Sequence, residues 1–177
     1  EACDVRRFSP SSEVVEIPNG IDERTIRSIA RLGAEPIDSV RRGDLILGYV
    51  GRMEIGIKGI DLMLDAILDM QTRDGRTGFK FLFVGPLSSG RRKDDVEAVS
   101  TYLAEAMRRL PFPQEVEFVG PRFGEDKWRF LNALDVYFQV SRTEGMSNSV
   151  VEALAAGKPC LLTESTNMGD LLRTADC

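Results

Sequence analysis

Two hydrophobic runs, Leu45 to Val50 (LILGYV) and Phe79 to Val84 (FKFLFV, apolar but for Lys80), are closed by Gly51 and by Gly85-Pro86. Apolar runs of this length, ending in turn residues, predict buried strands. Between them Ile60, Met63, Leu64, Ile67 and Leu68 recur at helical spacing, with Asp61, Asp65 and Asp69 mostly on the opposite face. That pattern predicts an amphipathic helix. The same reading continues with a helix over about 94–109, a strand over 116–119, a helix near 125–133, a strand over 135–140 (DVYFQV), a helix over 150–156 and a strand over 159–163. Upstream, 14–17 predict a short strand, 18–20 (Pro-Asn-Gly) a turn, 22–32 a helix and 33–43 a loop.

Strands alternating with helices imply βαβ units, so the expected fold class is α/β, a single Rossmann-like doubly wound parallel sheet flanked by helices. Such sheets commonly have strand order 3-2-1-4-5 and bind ligands where the order reverses, outside the carboxyl ends of strands 1 and 4. The loops after LILGYV and after DVYFQV are therefore expected to face one crevice.

Both loops carry suitable chemistry. Ser141 to Pro159 (SRTEGMSNSVVEALAAGKP) places Glu144 on a polar turn and Glu152 on the helix that follows, which is stopped by Gly157 and Pro159. Ser147, Asn148 or Ser149 could be the N-cap, and the free amides of a first helical turn attract phosphate. Carboxylates beside such a site repel phosphate, which suits them to accepting hydrogen bonds from sugar hydroxyls. The plainer alternative is a solvated loop acid and an ordinary first-turn acid. The other loop, Gly51 to Gly59 (GRMEIGIKG), combines Arg52 and Lys58 with three glycines that let backbone approach a ligand. It lacks Walker A spacing and the hydroxyl after the lysine, and it contains no GxGxxG. Two cations facing a helix N-terminus and two carboxylates suit a diphosphate flanked by sugars.

Composition narrows the chemistry further. With 177 residues, 42% hydrophobic and 29% charged, the chain has ordinary globular composition and the length of about one domain. No apolar run reaches spanning length, and no leader pattern is present. A net charge of −5 and a pI near 4.9 argue against a nucleic-acid partner. The pairs Arg41-Arg42 and Arg108-Arg109 and the run Arg91-Arg92-Lys93 are expected to be solvated. Cys3, Cys160 and Cys177 have no zinc spacing, and a reduced cytoplasmic setting with Cys160 buried in a strand is expected. Histidine is absent from the chain, which removes His-based acid–base and triad chemistry from this segment.

In order, VVEIPNGID (14–22), YVGRMEIGIKGIDLMLDAI (49–67), FLFVGP (81–86), VEFVGP (116–121) and DVYFQVSRTEGMSNSVVEALAAGKPCLLTE (135–164) resemble the C-terminal, donor-binding domain of retaining GT-B glycosyltransferases of group 1, family 4. The resemblance spans almost the whole chain. It implies that Arg52 and Lys58 hold the donor diphosphate, with Gly51 allowing close backbone approach. It implies that Glu144 contacts the transferred sugar, that Gly145, Met146 and Ser147, with Asn148 and Ser149, offer amides near sugar and phosphate, and that Glu152 binds the ribose. The backbone around Arg122 would face the base. Arg52, Lys58 and Glu144 would thus serve the reaction, with no metal or other cofactor. The donor would be a UDP, GDP or ADP sugar. A GT-B nucleotide-sugar epimerase and a non-catalytic nucleotide-sugar module are the alternative functions for such a domain.

The resemblance also sets expectations for organisation: residues 1–22 as an interdomain linker with a leading strand, 23–177 as an incomplete Rossmann-like domain truncated at its C-terminal end, and an absent N-terminal acceptor domain. A fragment of that kind would bind nucleotide without turning over. A cytoplasmic setting is expected, with any peripheral membrane attachment residing in the absent domain.

Overall fold

The computed structural model describes residues 13, 19–87, 93–169 and 172. The predicted strand over 14–17, Cys3, Cys177, Arg91 and Arg92 lie outside them, as does most of the 1–22 linker.

Five parallel strands form one sheet: β1 (Leu45–Val50), β2 (Phe79–Val84), β3 (Val116–Phe118), β4 (Val136–Gln139) and β5 (Cys160–Leu162), in the order β3-β2-β1-β4-β5. This is the predicted order. β1 runs in full register with β2, Leu45 opposite Phe79 through Val50 opposite Val84, and pairs with β4 through Leu47–Val136 and Gly48–Tyr137. The strand order reverses at β1 and β4, which sets their carboxyl ends side by side.

The helices are α1 (Glu23–Ile29), α2 (Ile55–Lys58), α3 (Ile60–Asp74), α4 (Lys93–Arg109), α5 (Gly124–Ala133) and α6 (Asn148–Ala155). α3 buries Ile60, Met63, Leu64 and Ile67, as its periodicity predicts, and adds Gln71. Gln71 is 2% exposed and is satisfied by Phe112 and Glu115. α1 is shorter than 22–32; Asp22 caps it by accepting from the Thr25 amide. The Arg41-Arg42 and Arg108-Arg109 pairs are exposed, as expected.

The loop after β1 departs from expectation. The Gly51 to Gly59 stretch is not wholly loop, because Ile55 to Lys58 close a single helical turn. Gly59, at φ 65°, separates this turn from α3, and a Cβ there would overlap the Val140 carbonyl oxygen. Only glycine permits both the left-handed backbone and that close approach to the loop after β4.

The sheet is packed on both faces. Tyr49, Met53, Phe81, Phe83 and Phe138 meet α3 and α4 on one side, while Leu82, Phe130, Leu131, Tyr137, Val150 and Ala153 meet α5 and α6 on the other. Because strand side chains alternate, Tyr137 and Gln139 share the α6 face and Phe138 takes the opposite one. Cys160 lies in β5 as predicted but is only half-buried, since β5 is an edge strand; burial still pushes its thiol up to about 11.

Candidate functional site

The segments after β1 and after β4 meet at the crevice. Lys58, the last residue of α2, places Nζ 2.6 Å from Glu144 Oε1, with the two side chains 17% and 10% exposed. Glu144 Oε1 also accepts from Ser141 Oγ at 2.8 Å and from Gln139 Nε2 at 2.9 Å. A carboxylate largely removed from water needs such donors, because an unpaired buried charge is strongly disfavoured.

Arg142 latches the two segments together. Its guanidinium donates to both Asp61 oxygens at 2.7 Å and to the Gly56 carbonyl at 3.0 Å, while its amide donates to the Ile57 carbonyl at 2.9 Å. The short α2 cannot satisfy its own terminal carbonyls, so this latch completes it. The Arg142 hydrogen bonds hold the Asp61 carboxyl below the ordinary aspartate range.

Arg52 lies just past β1 with its side chain 52% exposed and its guanidinium 3.5 Å from Glu54. Its carbonyl accepts from the Tyr49 hydroxyl at 3.0 Å. Burial, followed by the charge on Glu144, holds the Tyr49 phenol well above its ordinary value. Gly51 is confined by that same tyrosine, since a Cβ there would strike its hydroxyl.

On the other side of the crevice, Ser147 is the N-cap residue of α6, one of the three candidates. Its hydroxyl does not cap the helix; it donates to Gln139 Oε1 at 3.0 Å. The Ser147 carbonyl accepts from the amides of Val150 and Val151. Asn19, from the predicted Pro-Asn-Gly turn, reaches Met146 Sδ through its amide at 3.0 Å and Asn148 Oδ1 through its side chain at 2.7 Å. The Glu144 amide donates to the Ser165 carbonyl, which ties the loop to the segment after β5. Gly145 is exposed and Ser149 half-buried.

Glu152 lies on α6 and pairs with Lys127 Nζ of α5 at 2.5 Å. Arg122, after β3, turns its side chain to Glu35 at 3.2 Å and to the Val119 carbonyl at 3.4 Å. Thus Lys58, Glu144 and Ser147 are drawn into one hydrogen-bonded cluster, while Glu152 and Arg122 each have a partner of their own.

Sequence reading missed Lys127, Gln139, Ser141 and Arg142. Gln139 had a signal, as the one amide side chain in DVYFQV. Lys127 had none, because its partner lies on a different helix. Among the described residues, no group of three or more His, Cys, Asp or Glu is arranged to hold a metal ion, and no helix is long and apolar enough to cross a membrane.

Residues 44–176 match the model of the family described as glycosyl transferases group 1. The chain therefore belongs to the group 1 glycosyltransferases. A D-inositol 3-phosphate glycosyltransferase of Nocardia farcinica is 26% identical over 158 residues, a match that takes in 89% of this chain and 34% of that protein. The chain thus spans about a third of the length of the curated relatives it matches. The fold is that of solved GT-B glycosyltransferases. An α,α-trehalose-phosphate synthase (UDP-forming) from Burkholderia vietnamiensis superposes with a TM-score of 0.70 at 16% identity, over 88% of this chain and 39% of that one. Anabaena HepE, solved with UDP-glucose, superposes with a TM-score of 0.60 at 20% identity, over 89% of this chain and 46% of that one.

Proposed function

We propose that this chain is the donor half of a hexosyl-type glycosyltransferase, binding a nucleoside diphosphate sugar whose sugar passes to an acceptor with retention of anomeric configuration. The observation that carries this reading is the Lys58–Glu144 contact at the strand-order reversal. It brings a cation suited to diphosphate and a carboxylate suited to sugar hydroxyls within one donor's reach. UDP-glucose in the Anabaena neighbour makes a UDP sugar the first donor to try.

In this proposal Arg52 and Lys58 neutralise charge as the diphosphate departs. An ammonium has three N–H donors, so Lys58 keeps donors for a phosphate oxygen while holding Glu144. Electrostatic stabilisation of the leaving group is the chemistry these cations supply, and it needs no metal. Gly51 admits the backbone to the diphosphate. Glu144 meets the transferred sugar, and the amides from Gly145 through Ser149 line sugar and phosphate. Glu152 accepts from the ribose, sharing its carboxylate with Lys127. The backbone at Arg122 faces the base. The acceptor would be held by a second domain, and the chain alone would bind donor without turnover.

The test is a thermal-shift screen against UDP, GDP, ADP and their glucose or mannose derivatives. A ligand that binds only the folded state raises the melting temperature as its concentration exceeds Kd. Stabilisation by one nucleoside diphosphate and its sugar is expected; a folded chain shifted by none of them would refute the proposal.

A further inference from the structure

Gln139 ends the interior strand β4 and is 2% exposed, where the strand pattern calls for an apolar side chain. Burying an amide there is costly unless its hydrogen-bonding positions are met. All four are met. Oε1 accepts from the Tyr137 hydroxyl at 2.7 Å and the Ser147 hydroxyl at 3.0 Å, and Nε2 donates to Ser141 Oγ at 3.0 Å and Glu144 Oε1 at 2.9 Å. The charge on Glu144 fixes which way the amide faces, since the reversed orientation would set its oxygen against a carboxylate.

We infer that Gln139 is a positioning residue for donor binding: its amide orients the Glu144 carboxylate toward the transferred sugar, while its oxygen is held in place by Tyr137 and Ser147. This rests on the reading of the crevice as the nucleotide-sugar site. The three donors to Glu144 from Lys58, Ser141 and Gln139 all converge on Oε1. Among the described residues Oε2 makes no hydrogen bond, so the carboxylate keeps one oxygen for a sugar hydroxyl. At the other end of the amide, the Ser147 hydroxyl donates to Gln139 Oε1 and so helps to hold the amide in its orientation.

A purely structural glutamine would affect all ligands alike, whereas a positioning one distinguishes them. Calorimetry on the full chain, pairing UDP with UDP-glucose, GDP with GDP-mannose and ADP with ADP-glucose, makes the comparison. In Gln139→Leu, affinity for the nucleotide sugar is expected to fall about tenfold, while affinity for the parent diphosphate changes by less than about threefold. Gln139→Glu keeps the shape and serves if the leucine variant does not fold. Its new carboxyl, once ionised, repels Glu144, so its sugar-specific loss should deepen from pH 5 to pH 8 relative to wild type. Wild-type binding with equal losses for sugar and diphosphate, or with no loss, or a Gln139→Glu loss that does not deepen with pH, overturns the inference about Gln139 alone. Absence of binding by the wild-type chain overturns the donor-site reading and this inference with it.

Discussion

Lys58 and Glu144 are 86 residues apart in sequence and 2.6 Å apart in space, joined across the point where the strand order reverses. Each side chain is mostly buried, and removing one partner strands the other. Lys58→Met should lower the unfolding free energy by about 2–4 kcal/mol, somewhat less than a bare buried charge because Gln139 and Ser141 still donate to Glu144. Combining it with Glu144→Gln removes the stranded charge, so the double variant should recover about 1–3 kcal/mol relative to the sum of the single changes. Urea unfolding of the four proteins measures this, and strictly additive values would show that the contact carries no coupling.

Glu152 reaches its place on α6 independently of that pair. Under the proposed function, Glu152→Ala should weaken binding of the cognate nucleoside diphosphate by about 1–2 kcal/mol, through lost ribose hydrogen bonds. Calorimetry with the nucleotide found in the thermal-shift screen decides it. Unchanged affinity would leave Glu152 only the partner of Lys127.

Gly59 and Gly43 both have positive φ, 65° and 93°, yet their surroundings differ. A Cβ at Gly43 meets nothing nearby, whereas at Gly59 it runs into the Val140 carbonyl. Gly43→Ala should therefore cost about 1 kcal/mol of backbone strain, and Gly59→Ala that strain plus displacement of the Lys58 turn, more than about 3 kcal/mol in all. Chemical denaturation measures both. Equal losses would show that the close approach is not tight.

The Asp61–Arg142 latch gives a pH dependence of definite sign. Hydrogen bonds from Arg142 lower the Asp61 carboxyl in the folded protein, so below the ordinary aspartate range of about 4 the unfolded chain takes up its proton first. The latch therefore stabilises fully above that range and fades as pH falls through the lowered folded value. Arg142→Lys loses the two-pronged contact, so its stability deficit against wild type should be larger at pH 6 than at pH 3. The guanidinium side chain is 42% exposed, which keeps the effect modest. A deficit independent of pH would assign it to the carbonyl contacts instead.

Much of this protein was legible from local pattern. The runs LILGYV and FKFLFV became β1 and β2 without a change of boundary, because an interior parallel strand calls for a mainly apolar stretch with a glycine to end it, and the one charge in them, Lys80, is buried with its ammonium on Glu117 and the Gln114 carbonyl. The parallel sheet followed from the alternation of strands with helices, and the meeting of the Lys58 and Glu144 segments from the strand order common to doubly wound sheets, which this one adopts. The helical turn at Ile55 to Lys58 was not legible. It exists because Arg142, from the other side of the crevice, satisfies its carbonyls.

By itself, then, the sequence determined the α/β class, the strands and helices, and the chemistry of the two loop segments, since these depend on hydrophobic periodicity and turn residues close together in the chain. Tertiary structure alone decided which groups touch: Lys58 with Glu144, Lys127 with Glu152, Arg142 with Asp61, and Gln139 with four partners at once. Periodicity gives the face on which a side chain lies. The partner of a long, flexible cation is chosen only when separate elements pack and withdraw its alternatives from water.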